Sequence, residues 1–229
     1  MARPRGNYAA TAARRDSIIR AALEIFGEFG FNGSSLKQVA DAVGISEAGV
    51  LHHFGSKSNL LTEVLRSRDA QSEFFVPMSG ESGIEFVSGW LNLVEYNVSH
   101  PGHVELFTTL AAEATSPTHP AHQYFLERYE MVFGVSRGYF EKLHAAGELI
   151  DGVNPADLAV TLIALSDGLQ LQWLITKKVD LVEQNEGFFK AILTPAAWAA
   201  VECQREQSAP ELAERIASIE ASLIEPVSA

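Results

Sequence analysis

Hydrophobic positions recur along this chain at helical spacing, and no stretch alternates as a strand would. Ile18, Ala22, Ile25, Phe26 and Phe29 form one stripe that stops at Gly30. Leu36, Val39, Ala40 and Val43 form a second, with Lys37, Gln38 and Asp41 on the opposite face. Ser35 followed three residues later by Gln38 predicts a capping box at the start of that helix, and Gly44 predicts its left-handed end. Ser46 is a fresh N-cap after a single intervening residue, Ile45, so a further helix begins almost at once, with Val50 and Phe54 four apart to pack on the preceding one. Two short helices joined by so tight a turn, from Ser35 to Phe54, are the pattern of a helix-turn-helix DNA reader. Small residues at the start of the second, Ala48 and Gly49, would let the backbone approach base edges in a major groove.

Downstream, Leu60, Leu61, Val64 and Leu65 continue the helical pattern. The spacing predicts helices over 56–75, 83–99, 103–115, 120–146, 155–177 and 181–193, then two more over 195–204 and 210–224, separated at Pro210. The expected fold is therefore all-α. A basic arm at 1–13, taken as flexible, precedes a three-helix DNA-binding domain at 14–76, which joins a helical bundle at 77–229. In the segment 155–177, Leu158, Leu162, Leu165, Leu169 and Trp173 make one row, while Val160, Ile163, Leu171, Leu174 and Ile175 lie around it. A surface helix of a monomer needs one stripe. Two stripes predict one face for the internal core and one for a second subunit, a fully buried helix in a monomer being the alternative.

The run from Arg14 to about Arg68 resembles the N-terminal domain of the TetR (tetracycline-repressor) family of bacterial regulators. The likeness rests on A-x-x-x-F in the first helix, G-F-x-G-S-S, V-A-D-A-V-G-I-S, and H-F-x-S-K closing the recognition helix. It implies that Ser35 and Lys37 meet the DNA backbone, that Ser46, Glu47, Ala48, Gly49 and Val50 face the groove, and that His52, His53 and Lys57 anchor phosphates. Leu51 stands where the family usually has a phosphate-touching tyrosine, which shifts the anchoring onto those histidines and Lys57. The resemblance also implies a dimer built by 155–177 and 181–193, and a ligand cavity among the bundle helices. Phe86, Trp90, Phe107, Tyr124, Phe125 and Trp173 are the expected aromatic lining, with Gln170, Gln172, Thr108 or Glu113 as orienting polar groups.

Charge sharpens the division of labour. The net charge is −12, yet residues 1–70 hold nine Lys/Arg against seven Asp/Glu, and residues 71–229 hold eight against 22. An acidic second domain would stay off DNA, while five arginines in the first 20 residues suit an arm that neutralises phosphates. No apolar stretch reads as a membrane span and the N-terminus lacks an apolar signal core, so a cytoplasmic protein is expected. Cys203 is the lone cysteine and is expected as a partly buried thiol.

Candidate chemistry is sparse. Gly134-Val135-Ser136-Arg137-Gly138 fits the G-x-S-x-G of a hydrolase elbow but lies inside a helical run, where the strand that elbow requires is missing. His100/His103 and His119/His122 have the spacing of zinc ligands on a helix, yet each pair adjoins a proline at a helix boundary. The reading is a non-enzymatic, homodimeric regulator without a metal or cofactor, more specifically a repressor released from a palindromic double-stranded operator by a small apolar or amphipathic effector. Two others stand beside it: a small-molecule or metal binding module with weak or lost DNA recognition, and an esterase acting through Ser136.

Overall fold

The computed structural model describes residues 5–76 and 78–224, and side chains within 11–76 and 78–217. The described chain is helical, with an isolated antiparallel bridge between Leu149 and Leu193. The helices are α1 (Arg5–Gly33), α2 (Leu36–Val43), α3 (Glu47–Phe54), α4 (Lys57–Phe75) and α5 (Gly83–Ser99), followed by α6 (Pro101–Glu113), α7 (His122–Ala145), α8 (Pro155–Thr176), α9 (Leu181–Ile192) and α10 (Pro195–Ile224). The all-α expectation holds, and α5 has the predicted bounds.

Three differences have physical reasons. Residues 5–13, expected as a flexible arm, belong to α1, while 1–4 lie outside the described residues. The two helices predicted over 195–204 and 210–224 are one, because α10 runs through Pro210. A proline's φ is already helical, and the carbonyl four residues back, on the exposed Glu206, can turn to water. Third, Pro155–Thr176 is long and apolar enough to cross a membrane by length and composition, with a third of its most apolar window buried in this fold. Its buried row, Leu158, Ala159, Leu162 and Leu169, packs in the bundle, and Asp157, Asp167, Gln170 and Gln172 interrupt the remainder.

The core of the helix-turn-helix domain extends beyond it. Ile18, Phe26, Val39, Val50, Leu61 and Val64 form one cluster with Leu106, Leu110, Ala121 and Phe125, so α6 and the start of α7 seal its base. A second cluster, centred on Phe86, Phe140, Leu143, Leu162 and Phe189, holds the bundle together. The helix α4 belongs to both regions: Leu60, Leu61, Val64 and Leu65 are buried on the DNA side, and Phe75 packs on Tyr96 of α5. Gly89 on α5 permits that approach, since a Cβ there would collide with the carbonyl of Phe75.

Candidate functional site

The turn between α2 and α3 is built as its sequence dictates. Ser35 accepts from the Gln38 backbone at 3.2 Å while the Gln38 side chain accepts from the Ser35 N–H at 2.7 Å, and Gly44 closes α2 with φ 68°. Ser46 Oγ accepts from the Gly49 N–H at 3.1 Å, which fixes the start of α3. Ser35, Lys37, Ser46, Glu47, Ala48 and His52 are exposed, and Gly49 is half-buried.

Val50 and Lys57 depart from that expectation. Val50 is fully buried and packs inward, as its spacing from Phe54 requires, so it cannot face bases. Lys57 donates from Nζ to the carbonyls of Phe31 and, at 2.6 Å, Ser34, with its ammonium 4.3 Å from the centre of the Phe31 ring. Burial holds its pKa below the usual lysine value, and the nearby Glu113 carboxylate opposes that shift. The expected phosphate anchor is thus turned into the protein, tying the start of α4 to the turn after α1. His53 is half-buried beside Arg15, whose guanidinium donates to the His53 carbonyl at 2.6 Å, pairs with Glu63 at 3.1 Å and lies over the Phe54 ring. Burial, then the neighbouring His52, Arg15 and Arg14, lower the His53 pKa. Arg15 braces α3 from behind, a role that periodicity alone did not reveal. Leu51 is exposed on the outer face.

A cavity of about 110 Å³ opens between α4, α5, α7 and α8, with Phe107 of α6 closing one side. Of the expected lining, Phe86, Trp90, Phe107 and Gln170 are there. Tyr124, Phe125 and Trp173 are not. Phe125 is buried in the core beneath the DNA-reading domain, Trp173 packs with Leu169 and Leu181 under the Lys177 ammonium, and Tyr124 reaches only the back of the site by donating to Asp69 at 2.5 Å. Ile163, expected at a subunit interface, instead faces the cavity and is 5% exposed. Glu113, considered as an orienting group, lies at the junction with α1, where it accepts from the Phe31 N–H at 2.7 Å.

The cavity also holds charges that pattern-reading missed. Arg68 and Arg128 stack on Phe107, at 4.3 and 5.1 Å from its centre, and Asp69 lies between them. Asp69 accepts from Arg128 and Tyr124, leaving Arg68 at 3.6 Å from it. Complete burial pushes Arg68 down to about 10, and the like charge of Arg128 adds to that. Asp167 accepts from Tyr129 at 2.8 Å; burial raises its pKa, against the pull of that hydrogen bond and of the two arginines. The signal for these groups was available: charged residues at positions that continue an apolar stripe, such as Arg68 four residues after Val64, are candidates for an inner lining.

Ser136 lies within α7 and lines the same cavity, so the G-x-S-x-G sits in unbroken helix and not on a strand-to-helix elbow. The histidine pairs are occupied locally. His100 Nδ1 lies 2.9 Å from the Tyr96 carbonyl, and His119 Nδ1 accepts from the Ala121 N–H at 3.2 Å. His122 Nδ1 lies 2.7 Å from the Ala114 carbonyl. Among the described residues no three metal-ligating side chains come together. Cys203, expected partly buried, is exposed on α10.

Comparison with known proteins places this geometry. Residues 18–64 match the family model for bacterial regulatory proteins of the tetR family. The HTH-type transcriptional regulator RutR of Escherichia coli K12 is 42% identical over 57 residues, covering 25% of this chain and 27% of that protein. The HTH-type transcriptional repressor KstR2 of Mycolicibacterium smegmatis is 36% identical over 55 residues, 24% of this chain and 27% of that one. The chain thus aligns with about a quarter of the length of these curated relatives. Over the whole fold, a transcriptional regulator from Saccharomonospora viridis solved in complex with choline superposes with a TM-score of 0.65 at 19% identity, covering 80% of this chain and 99% of that one.

Proposed function

We propose that this chain, whose residues 18–64 match the family model for bacterial regulatory proteins of the tetR family, is a homodimeric, ligand-responsive transcriptional repressor acting in the cytoplasm on a palindromic operator. One observation carries the reading: α4 is shared between the two functions. Its first half is core to the DNA-reading domain, and its second half supplies Arg68, Asp69 and Ser72 to the cavity. A ligand that shifts the second half moves the first, and with it the spacing of two recognition helices that in a twofold dimer lie about 34 Å apart. Release from DNA requires the ligand to prefer the shifted state by roughly 10⁴-fold. Support for a dimer comes from α8, where Val160, Leu171 and Ile175 are exposed to 54, 48 and 74% on one face. The relatives are transcriptional regulators, not enzymes.

The test is a mobility-shift titration with the DNA upstream of the protein's own gene, at two salt concentrations, alongside sedimentation to fix the oligomeric state. A salt-dependent shift by a dimer is expected. A second reading, a binding module with lost DNA recognition, draws on Leu51 at the phosphate-contacting position and on the inward-turned Lys57; it predicts no shift at any salt.

A further inference from the structure

Three side chains with buried polar atoms that make no hydrogen bond line the same cavity: Arg68 through Nε and Nη1, the latter in a looser 3.6 Å ion pair with Asp69, Ser136 through Oγ and Gln170 through Oε1. A buried donor or acceptor left without a hydrogen bond is unfavourable, more so for a charged group, and these three converge on one space that a polar ligand can reach. Arg68 is the strongest of the three. It is 5% exposed, and the carboxylate nearest to it, Asp69, is already bonded through one oxygen to Arg128 and through the other to Tyr124. His103, the nearby imidazole, is pushed down to about 4 by burial and then by Arg68 itself, so it offers the guanidinium no charge. The Phe107 ring lies beneath it, 4.3 Å from its central carbon. Phe86, Trp90, Val94, Val135 and Ile163 make the apolar part of the wall, and Asn97 and Ser166 are among its polar members.

We propose that the cavity binds a small amphipathic carboxylic acid, its carboxylate pairing with Arg68, its apolar body lying against Phe86, Trp90 and Ile163, and a hydroxyl or N–H on that body meeting Gln170 and Ser136. This rests on reading the cavity as the effector site. A carboxylate matches the paired donors of a guanidinium, and the low polarity around Arg68 strengthens the pair. Of the three acids of the lining, Asp69 is bonded through both oxygens to Arg128 and Tyr124, Asp167 accepts from Tyr129, and Glu73 is solvent-exposed, so a cationic ligand would face two guanidiniums with the inward carboxylates already engaged.

The test is isothermal titration calorimetry on the full-length protein without DNA, using straight-chain carboxylates of six to twelve carbons, the alcohols of the same lengths, and octyltrimethylammonium. At least one carboxylate is expected to bind about tenfold or more tighter than its alcohol, with the ammonium weakest. Arg68→Lys is expected to keep the preference in reduced form, and Arg68→Gln to abolish it while ligand-independent melting confirms the fold. The proposal is overturned if no carboxylate binds better than its alcohol, or if the ammonium binds best; both comparisons use the wild-type protein and stand whether or not a variant folds. Failure of the mobility shift would remove the regulator reading and leave this selectivity intact, so the two outcomes separate.

Discussion

The Glu113 carboxylate accepts a hydrogen bond from the Phe31 N–H at 2.7 Å, joining the end of α6 to the segment that leads into the helix-turn-helix. The bond exists because Gly30 leaves the helical conformation, with φ 69° and ψ 177°, and frees the next N–H from the helix ladder. The same carboxylate lies 3.3 Å from His119 Nε2, and the carbonyl of Phe31 accepts from Lys57. The backbone of one residue, Phe31, is thereby clamped from α6 on its N–H side and from α4 on its carbonyl side.

Removing the first clamp should therefore be felt in both domains. Glu113→Ala is expected to destabilise the protein by about 1–3 kcal/mol, read as a fall in the urea midpoint. Glu113→Gln, which keeps an acceptor but loses the charge, should lie between. If Glu113→Ala melts with the wild type, the junction is not held by this carboxylate.

Two lysines of the DNA-reading domain should behave oppositely. Lys57 holds the carbonyls of Phe31 and Ser34, so Lys57→Ala is expected to lower stability by about 1–3 kcal/mol while changing the salt slope of operator binding little. Lys37 is exposed on α2, and Lys37→Ala is expected to leave stability unchanged and reduce the slope by about one. Salt titrations of both variants separate the roles; a reduced slope for Lys57→Ala with unchanged stability would reverse them.

What could be read in advance follows from the range of the forces involved. The caps at Ser35, Gly44 and Ser46 are interactions within four residues, so spacing alone placed α2 and α3. Val50 obeys the same local pattern, since its spacing from Phe54 buries it, whereas the family resemblance alone points it at the groove. In the bundle, aromatic content predicted a cavity but not its members. Phe125 and Phe86 look alike in sequence, and only the packing of α7 on α5 and α6 decides that one fills a core and the other a wall. Arg68, Arg128 and Asp167 escaped because helical periodicity treats a charge as an outward marker, whereas here Asp69, Tyr129 and Phe107 make an inward one tolerable.

His103 gives the fold a defined acid sensitivity. Its imidazole is half-buried against the Tyr96 ring with His100 alongside and Arg68 nearby, and its desolvation there is the leading cause of a pKa pushed from 6.5 down to about 4. The unfolded chain takes up this proton before the folded one does, so the contribution is fully present above about pH 6.5 and is lost as the pH falls toward 4. The full loss is at most about 3 kcal/mol. Urea denaturation between pH 8 and pH 4 should show the wild type losing stability more steeply than His103→Gln; parallel curves would exclude the histidine as the sensor.

The apolar residues expected at a subunit interface on α8 make separable predictions, because Ile163 lines the cavity while Leu171 and Ile175 are exposed. Leu171 and Ile175 are exposed on one face, and the proposed twofold partner would cover them. Replacing both by Glu puts like charges at a self-complementary interface, where each residue meets the same patch of the other subunit. The expected outcome is a folded monomer in sedimentation, with operator affinity reduced and circular dichroism preserved. Ile163 faces the cavity, so Ile163→Ala should leave the dimer intact, cost about 2–5 kcal/mol, and alter ligand binding instead. A monomer from Ile163→Ala, or an undisturbed dimer from the double Glu variant, would exchange the roles of the two faces and move the subunit contact away from the exposed side of α8.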